Sequence, residues 1–392
     1  MRTRTGLILS LLLVAPLIGS ACTERSSDSA DVPIWTIDAT PLLEITDDDP
    51  DGEVVLGNAV HVTRRPDGGL MVSDQGLHSL RLFSSDGRFQ RAVGRQGAGP
   101  GEFEFIRQAL RCGDSLFVED IVTRRVTVHS LDGTIARTMS TLEFAGGPEA
   151  FRSACNADGV FVHHAWNQFD PTVRGRRRTP LSVWITSAAH DLRVALADVD
   201  GPESVGFGTG AANALLRRTP QLGIGRRHVY VGAADSGVVQ VYALDGTPAG
   251  TRRLPESEMR ATAADLERAK RIDSLGQDAE TQKETRRVWE LDTPPATLPA
   301  YDAILVDKDE HLWVRRYPVA GKDSTPWIVF NPAGVQLATV MMPAALTVYE
   351  VGPDYVSGIV RDPVSGRHAV VVLSLNRFPA RSGSKASRRT VQ

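Results

Sequence analysis

Two adjacent histidines, His163 and His164, are the residues best suited to hold a metal, since a zinc site needs several His, Cys or carboxylate groups converging. In an extended segment neighbouring side chains point to opposite faces, so at most one of the pair should serve a given site. Charged residues also gather just after short apolar runs, as at Asp74, Glu119, Asp120, Arg315, Arg316 and Arg361. Asn58, Arg107, Arg152, Gln221, Tyr301 and Glu350 stand near the expected start of other runs. A mouth built from such positions, with both charge signs and a Tyr, suits a polar ligand such as a saccharide, peptide or carboxylate. We take Asp74, Asp120, His163, His164, Arg315, Arg316, Tyr301 and Glu350 as binding candidates and assign no catalytic residue. The opposing reading of each is a solvated, locally paired strand end.

Other motifs carry less chemistry. No nucleophile elbow and no metalloprotease helix motif is present. Asp47 to Asp51 lacks the spaced ligands and terminal Glu of a calcium loop and reads as a solvated link. Calcium or another divalent metal is the one cofactor the residues leave open. The glycine-rich run from Gly94 to Phe103 has the look of a phosphate loop, but no helix pattern follows it, so its glycines read as a sharp turn. Cys112 and Cys155 lie 43 residues apart and read either as a disulfide or as two buried thiols.

The elements that must position these residues repeat. An apolar, aromatic or Met, Val triplet recurs at Leu70-Met71-Val72, Leu116-Phe117-Val118, Val160-Phe161-Val162, Val229-Tyr230-Val231 and Leu312-Trp313-Val314, with a looser copy at Gly358-Ile359-Val360. The valines are spaced 46, 44, 69, 83 and 46 residues apart. A unit of about 45 residues suits a four-stranded propeller blade. Most triplets follow a turn and precede a second apolar run that ends on a hairpin signal, as at Asp86-Gly87, Asp132-Gly133 and Asp245-Gly246. The pattern predicts an all-β, six-bladed propeller of four-stranded antiparallel blades over residues 33–378. The two long spacings hold a basic loop at Arg174 to Thr179, a Gly/Ala-rich excursion at Gly201 to Thr219, and a helical insertion over 256–292 between blades four and five. Its apolar stripe runs through Met259, Leu266, Ala269, Ile272 and Leu275. Blade six is one strand short, and Pro33 to Ile45 is expected to supply the missing outer strand.

Composition agrees with this picture. The chain has 392 residues, 42% of them hydrophobic, which supports a sizeable core and excludes a disordered chain. Its 44 basic residues nearly balance 47 acidic ones, so no global field draws it to nucleic acid. Arg2 and Arg4, the apolar run from Leu7 to Ile18 and the small residues Gly19, Ser20 and Ala21 form a secretory signal over 1–21. Residues 22–32 read as a flexible tether and 379–392 as a disordered basic tail.

The small residues before Cys22 resemble the bacterial lipoprotein box, although Gly19 stands where a larger apolar residue is usual. That resemblance implies lipid on Cys22 and a cell-envelope location. Gly94 to Phe103, with Val72-Ser73-Asp74 and Ser85-Asp86-Gly87, resembles the bacterial NHL-type six-bladed β-propellers. Such propellers include protein-binding, sugar-binding and enzymatic members, so the family implies a fold and not one activity. Propeller lyases use His ligands from different blades, and calcium-dependent propeller lactonases use Glu, Asn and Asp near the axis, for which Glu350, Asn58 and Asp302 are the available set. The expectation is a monomeric, membrane-anchored, non-enzymatic binding or scaffold module for a polar ligand or envelope protein. The alternative is a metal-dependent hydrolase or lyase with its site at the central mouth.

Overall fold

The computed structural model describes residues 32–46, 56–140, 151–166, 170, 172–187, 193–208, 210–257, 259–362 and 365–377. The signal segment, Cys22, most of the tether, the Asp47 to Asp51 run and the basic tail lie outside the described residues.

Strands β1 (Ile34–Ile37) and β2 (Leu43–Thr46) precede a series of antiparallel meanders. The first is β3 (Ala59–Arg64), β4 (Leu70–Asp74), β5 (Ser79–Phe83) and β6 (Phe89–Val93), and the next is β7 (Ile106–Cys112), β8 (Ser115–Asp120), β9 (Arg125–Ser130) and β10 (Ile135–Ser140). Then come β11 (Phe151–Cys155), β12 (Phe161–Trp166), β13 (Arg174–Arg178), β14 (Leu181–Thr186) and β15 (Arg193–Val199), of which β13 leaves the meander. It joins β16 (Glu203–Phe207) and β17 (Ala211–Asn213) in a separate three-stranded sheet. The chain continues through β18 (Gln221–Ile224), β19 (His228–Gly232), β20 (Val238–Ala243) and β21 (Pro248–Arg253). Helices α1 (Ala263–Asp273) and α2 (Ala279–Leu291) follow. The series ends with β22 (Tyr301–Val306), β23 (Leu312–Arg316), β24 (Ser324–Phe330) and β25 (Gln336–Pro343), then β26 (Leu346–Val351), β27 (Tyr355–Arg361) and β28 (His368–Asn376).

The apolar triplets all fall on, or lead into, the second strand of a meander, where sheets packed on both faces bury them. Leu70, Met71, Val72, Leu312, Trp313 and Val314 have no exposed surface. The Asp-Gly signals are hairpins between third and fourth strands, and in each the Gly alone takes positive φ, as Gly87 at 87° and Gly133 at 89°. A register shift follows each of these turns. This is a type I turn closed by a glycine bulge, not the two-residue turn in which both central residues are left-handed.

First strands stand beside one another in the order β3, β7, β11, β18 and β22, and β3 also packs on β26 and β27. The hydrophobic clusters lie between consecutive sheets, and one of them joins Val62, Leu70 and Phe83 of the first sheet to Ile359, Val370 and Val372 of the last. Meanders that follow one another, pack first strand to first strand and bring the last sheet against the first form a β-propeller.

The N-terminal stretch does two things. Leu43–Thr46 pairs antiparallel with Ala369–Val372 of β28 as a fourth strand beyond β26, β27 and β28. Ile34 and Trp35 instead run parallel to Thr339 and Val340 of β25, while Thr36 and Ile37 pair with the end of β28. The expected single closing strand is thus divided into two, one of which ties the last two sheets together.

The insertion is two helices and not one stripe. Thr262 and Asp265 form a capping box on α1, the chain turns at Gly276 (φ 74°), and Asp278 caps α2. Ile272 and Leu275 are exposed, so the apolar stripe read across them does not face a core. Polar contacts hold the helices instead. Asp265 accepts from Ala320 N at 2.8 Å, and Asp292 at the end of α2 receives Arg176 through Nε at 2.9 Å and Nη2 at 3.0 Å. Among the described residues no helix is long and apolar enough to cross a membrane.

Cys112 and Cys155, at the ends of the neighbouring strands β7 and β11, form a disulfide with Cα atoms 5.5 Å apart. Replacing both by Ser should lower the unfolding free energy by about 2–5 kcal/mol in denaturant titrations. Trp35, 8% exposed and packed on Trp313, should matter comparably. Trp35→Ala should cost about 3–5 kcal/mol, whereas Leu42→Ala at an exposed position should stay within roughly 0.5 kcal/mol.

Candidate functional site

The first strands end around a common cavity of about 470 Å³. Val62 and Thr63 of β3, Arg111 of β7, Cys155 of β11, Ile224 of β18, Val306 of β22 and Glu350 of β26 all line it, so it lies on the axis. Each of these residues sits near the C-terminal end of its strand. Asp114, Arg226 and Lys308 line its exposed margin.

Glu350 organises the interior. Its Oε2 accepts from Thr63 Oγ1 and Arg64 N, both at 3.0 Å, and its Oε1 accepts from Arg111 Nη1 at 2.8 Å and Tyr355 OH at 2.5 Å. Burial pushes its carboxyl up, but Arg111 and the hydrogen bonds outweigh it and hold the group below the ordinary carboxylate range. Arg111 Nη1 also donates to Arg64 O at 2.8 Å and Thr63 Oγ1 at 3.2 Å. His61, two residues before Thr63 on the same strand face, meets the Tyr349 ring edge-on at 5.0 Å. Burial lowers its pKa to about 4, with Glu350 and Arg111 acting on it in opposite directions.

The other candidates lie at the opposite end, where the first strands begin. Asp74 pairs across from Ala59, Asp120 from Ile106, His164 from Phe151 and Arg316 from Tyr301. Glu350, placed by sequence among these, belongs to the far end of its strand and is parted from them. Asp74 and Asp120 are buried clasps for backbone. Asp74 accepts from Gly57 N at 2.7 Å and from Asn58 N and Leu77 N at 2.9 Å. Asp120 accepts from Glu104 N, Phe105 N, Val122 N and Thr123 N at 2.6 to 3.2 Å. Tyr301 is fully buried, takes a hydrogen bond from Ala234 N and gives one to Val238 O, and burial pushes its hydroxyl up to about 12. Arg315 donates to Ala344 O at 2.9 Å and faces Asp302 at 3.4 Å, while Arg316 donates to Pro255 O. β13, β16, β17 and the helices all leave from this end, where Arg178 and Arg218 flank Asp235 at 2.5 and 3.5 Å.

The tandem histidines divide between two faces. His163 is buried against Trp184 with Nε2 2.9 Å from Thr186 Oγ1, and His164 stacks on Phe151 with Nδ1 2.7 Å from Ser153 Oγ. Burial, helped by Arg107, lowers the His164 pKa to about 4. Glu350, Asn58 and Asp302 do not converge either, since Asn58 and Asp302 sit where strands start and Glu350 where one ends. The described residues that do bring metal-type ligands together are Asp307, Asp309 and His311, in the turn between β22 and β23. Arg377 already stands among them, donating to Asp307 at 3.1 Å and to Asp309 at 3.4 Å. Asp307 also accepts from Trp313 Nε1 at 3.0 Å.

Sequence reading missed His61, Arg111 and Tyr349 because it looked for a site where the second strands end. The signal available was the polar residue just before each first turn, as in Arg111-Cys112-Gly113-Asp114 and Cys155-Asn156-Ala157-Asp158.

No family model matches the chain, and no curated protein matches it. Solved structures are similar to it at low identity. A member of the DUF4221 family from Bacteroides vulgatus is 10% identical with a TM-score of 0.49, over 88% of this chain and 99% of its own. A calcium-binding protein, regucalcin, from Agrobacterium tumefaciens is 10% identical with a TM-score of 0.40, over 88% and 96%. A luciferin-regenerating enzyme is 11% identical with a TM-score of 0.41, over 82% and 94%. These scores lie under 0.5, and the fold rests on the chain's own strand pairing.

His61 and His164 are held near 4 in the folded state against an ordinary 6.5, so between those values the unfolded chain takes up protons that the folded chain refuses. The share of stability that these histidines contribute should therefore be full above about pH 6.5 and be lost as the pH drops toward 4, by about 3 kcal/mol for His61. Asp302, pushed up to about 6, acts in the opposite direction below about pH 6. Denaturant titrations at steps across that window check this, and His61→Gln should remove its share of the slope.

Proposed function

We propose that this chain is an exported, six-bladed β-propeller, anchored in a bacterial membrane through lipid on Cys22, that binds a polar ligand or envelope partner at its axial cavity without transforming it. The observation that carries this reading is the state of the cavity's carboxylate. Glu350 accepts four protein hydrogen bonds and is held deprotonated, which suits a fixed binding wall and leaves it poorly placed to shuttle protons near neutral pH. The count of six blades is supported by the hydrophobic clusters between consecutive sheets and by β2 as outer strand of the last. Export is supported by the charged, apolar and small-residue order of residues 1–21, and by a disulfide that persists in oxidising compartments. The second reading, a metal-dependent hydrolase or lyase, is favoured by Asp307, Asp309 and His311 at the same end of the ring.

Calorimetric screening of the mature protein against envelope saccharides, peptides and carboxylates should yield a binder. Ala157→Trp, at an exposed position on the cavity lining, should abolish that binding while leaving the thermal midpoint unchanged. Binding that survives this plug would place the site elsewhere. Stoichiometric metal in protein purified without chelators, with turnover lost in Asp309→Asn, would favour the enzyme instead.

A further inference from the structure

The carboxylates lining the interior of the axial cavity are occupied by the protein itself. Glu350 takes its four donors. Asp307 accepts from Asp309 N and His311 N at 2.9 Å through Oδ1, and from Trp313 Nε1 and Arg377 Nη2 at 3.0 and 3.1 Å through Oδ2. Glu310 receives Arg226 N at 2.8 Å on both oxygens. Asp114 lacks a partner among the described residues, but it stands at the exposed margin.

The donors are not used up in the same way. Arg111 gives Nε to Gly113 O at 3.1 Å and Nη1 to Thr63, Arg64 and Glu350, which leaves Nη2 with no acceptor among the described residues. That nitrogen is not among the buried unpaired atoms, and it belongs to a side chain that is 17% exposed and lines the cavity. Tyr349, another lining residue, likewise has no partner for its hydroxyl. At the margin Lys308 has neither an acid nor an acceptor among the described residues, and Arg226 approaches Asp158 at 3.9 Å through Nε alone.

This imbalance selects a ligand. The ionised group of the interior that still has a hydrogen bond to give is a guanidinium, and its bond to a carboxylate is roughly twice as strong as one between neutral groups. A cation entering the interior would find every carboxylate oxygen there already covered. An anion would meet Glu350, but that charge is paired with Arg111 at 2.8 Å, and Lys308 adds a cation with no acid of its own. Glu350, Thr63 and the Arg64 carbonyl fix one amino group of Arg111 and so aim the other. A volume of about 470 Å³ falls among small-molecule pockets of roughly 300–1,000 Å³.

We propose that Arg111 is the recognition group of the axial cavity, and that its ligand is a small organic carboxylate with one oxygen accepting from Arg111 Nη2. Glu350 and Thr63 act through Arg111 as positioning residues. This rests on the reading of the axial cavity as the binding site and adds to it the contacting atom and the ligand's charge.

The test is calorimetric titration of the mature protein with paired probes, succinate against succinamide and glucuronate against glucose, so that each pair contrasts a carboxylate with a neutral counterpart. The expected result is binding of at least one acid, with its neutral counterpart weaker by about tenfold or more. Arg111→Lys keeps a cation for Glu350 but loses Nη2, and it should weaken the acid about tenfold. Thermal midpoints separate lost folding from lost recognition. If Arg111→Lys is unstable, Arg111→Gln combined with Glu350→Gln removes both charges of the pair together and decides in its place. A neutral probe bound as tightly as its acid overturns the carboxylate class, and acid binding unchanged in the folded Arg111 variant overturns the role of Arg111. If no acid binds while a neutral saccharide or an end-blocked peptide does, and Ala157→Trp abolishes it, the cavity reading stands and this proposal fails. Acid binding that survives Ala157→Trp overturns both, and so does the absence of any binder.

Discussion

A sheet whose outer edge stays open invites pairing with another chain, and this fold removes that hazard at the last sheet with residues from the other end of the sequence. β2 lies along β28, and β1 runs from the end of β28 to β25 of the preceding sheet. The remaining core depends on that join, because each hydrophobic cluster is shared by two sheets and the last sheet must be held for the first to have a neighbour. Arg377, just past β28, lies 5.2 Å over the Trp35 ring and 5.8 Å over Trp313, and donates to Asp307. The two ends of the ring and the β22–β23 turn are thus fastened by one guanidinium. The gathering of Asp307, Asp309 and His311 follows from the same latch, since Arg377 is their counterion.

A second constraint acts at the axis. The first strand of each sheet has no partner on its inner side, so its backbone N–H groups need acceptors from elsewhere. Asp74 and Asp120 meet this need at the starting end, His368 Nε2 accepts from Ala59 N at 3.1 Å, and Glu350 accepts from Arg64 N at the finishing end. Several residues that look ligand-ready in sequence are therefore occupied by the protein's own backbone. Charge near a strand end marks the architecture as readily as a site.

Much of the architecture was legible because it is written in local chemistry. The triplets mark second strands buried on both faces, Asp-Gly marks the third hairpin, and the long spacings mark excursions. What was not legible depends on chain direction and on distant partners. Tyr301 and Glu350 were both read as first-strand starts, yet six-residue strands put one at the start and the other one residue from the end. The division of the closing segment into β1 and β2 required knowing that β25 would lie within reach. The exposed Ile272 and Leu275 showed helical spacing without a core to face, because α1 and α2 are held by ion pairs and caps that spacing does not reveal. His61 left no signal in sequence, since its place on the cavity beside Tyr349 depends on strands far apart in the chain.

The separation of the two ends also bears on chemistry against binding. A general acid or base works best with a pKa near the working pH and within hydrogen-bond reach of the reacting group. The carboxyl closest to that condition is Asp302, which burial pushes up to about 6 against the pull of Arg315 and Arg268. It stands at the start of β22, whereas the cavity is lined by Val306 at the end of that strand, about 13 Å away at strand rise. Glu350, which does line the cavity, is held well ionised, and His61 well neutral. Asp302 and the axial cavity therefore do not coincide. A cavity whose walls are fixed in single protonation states presents a preorganised surface, and preorganisation lowers the cost of ordering those walls when a ligand binds.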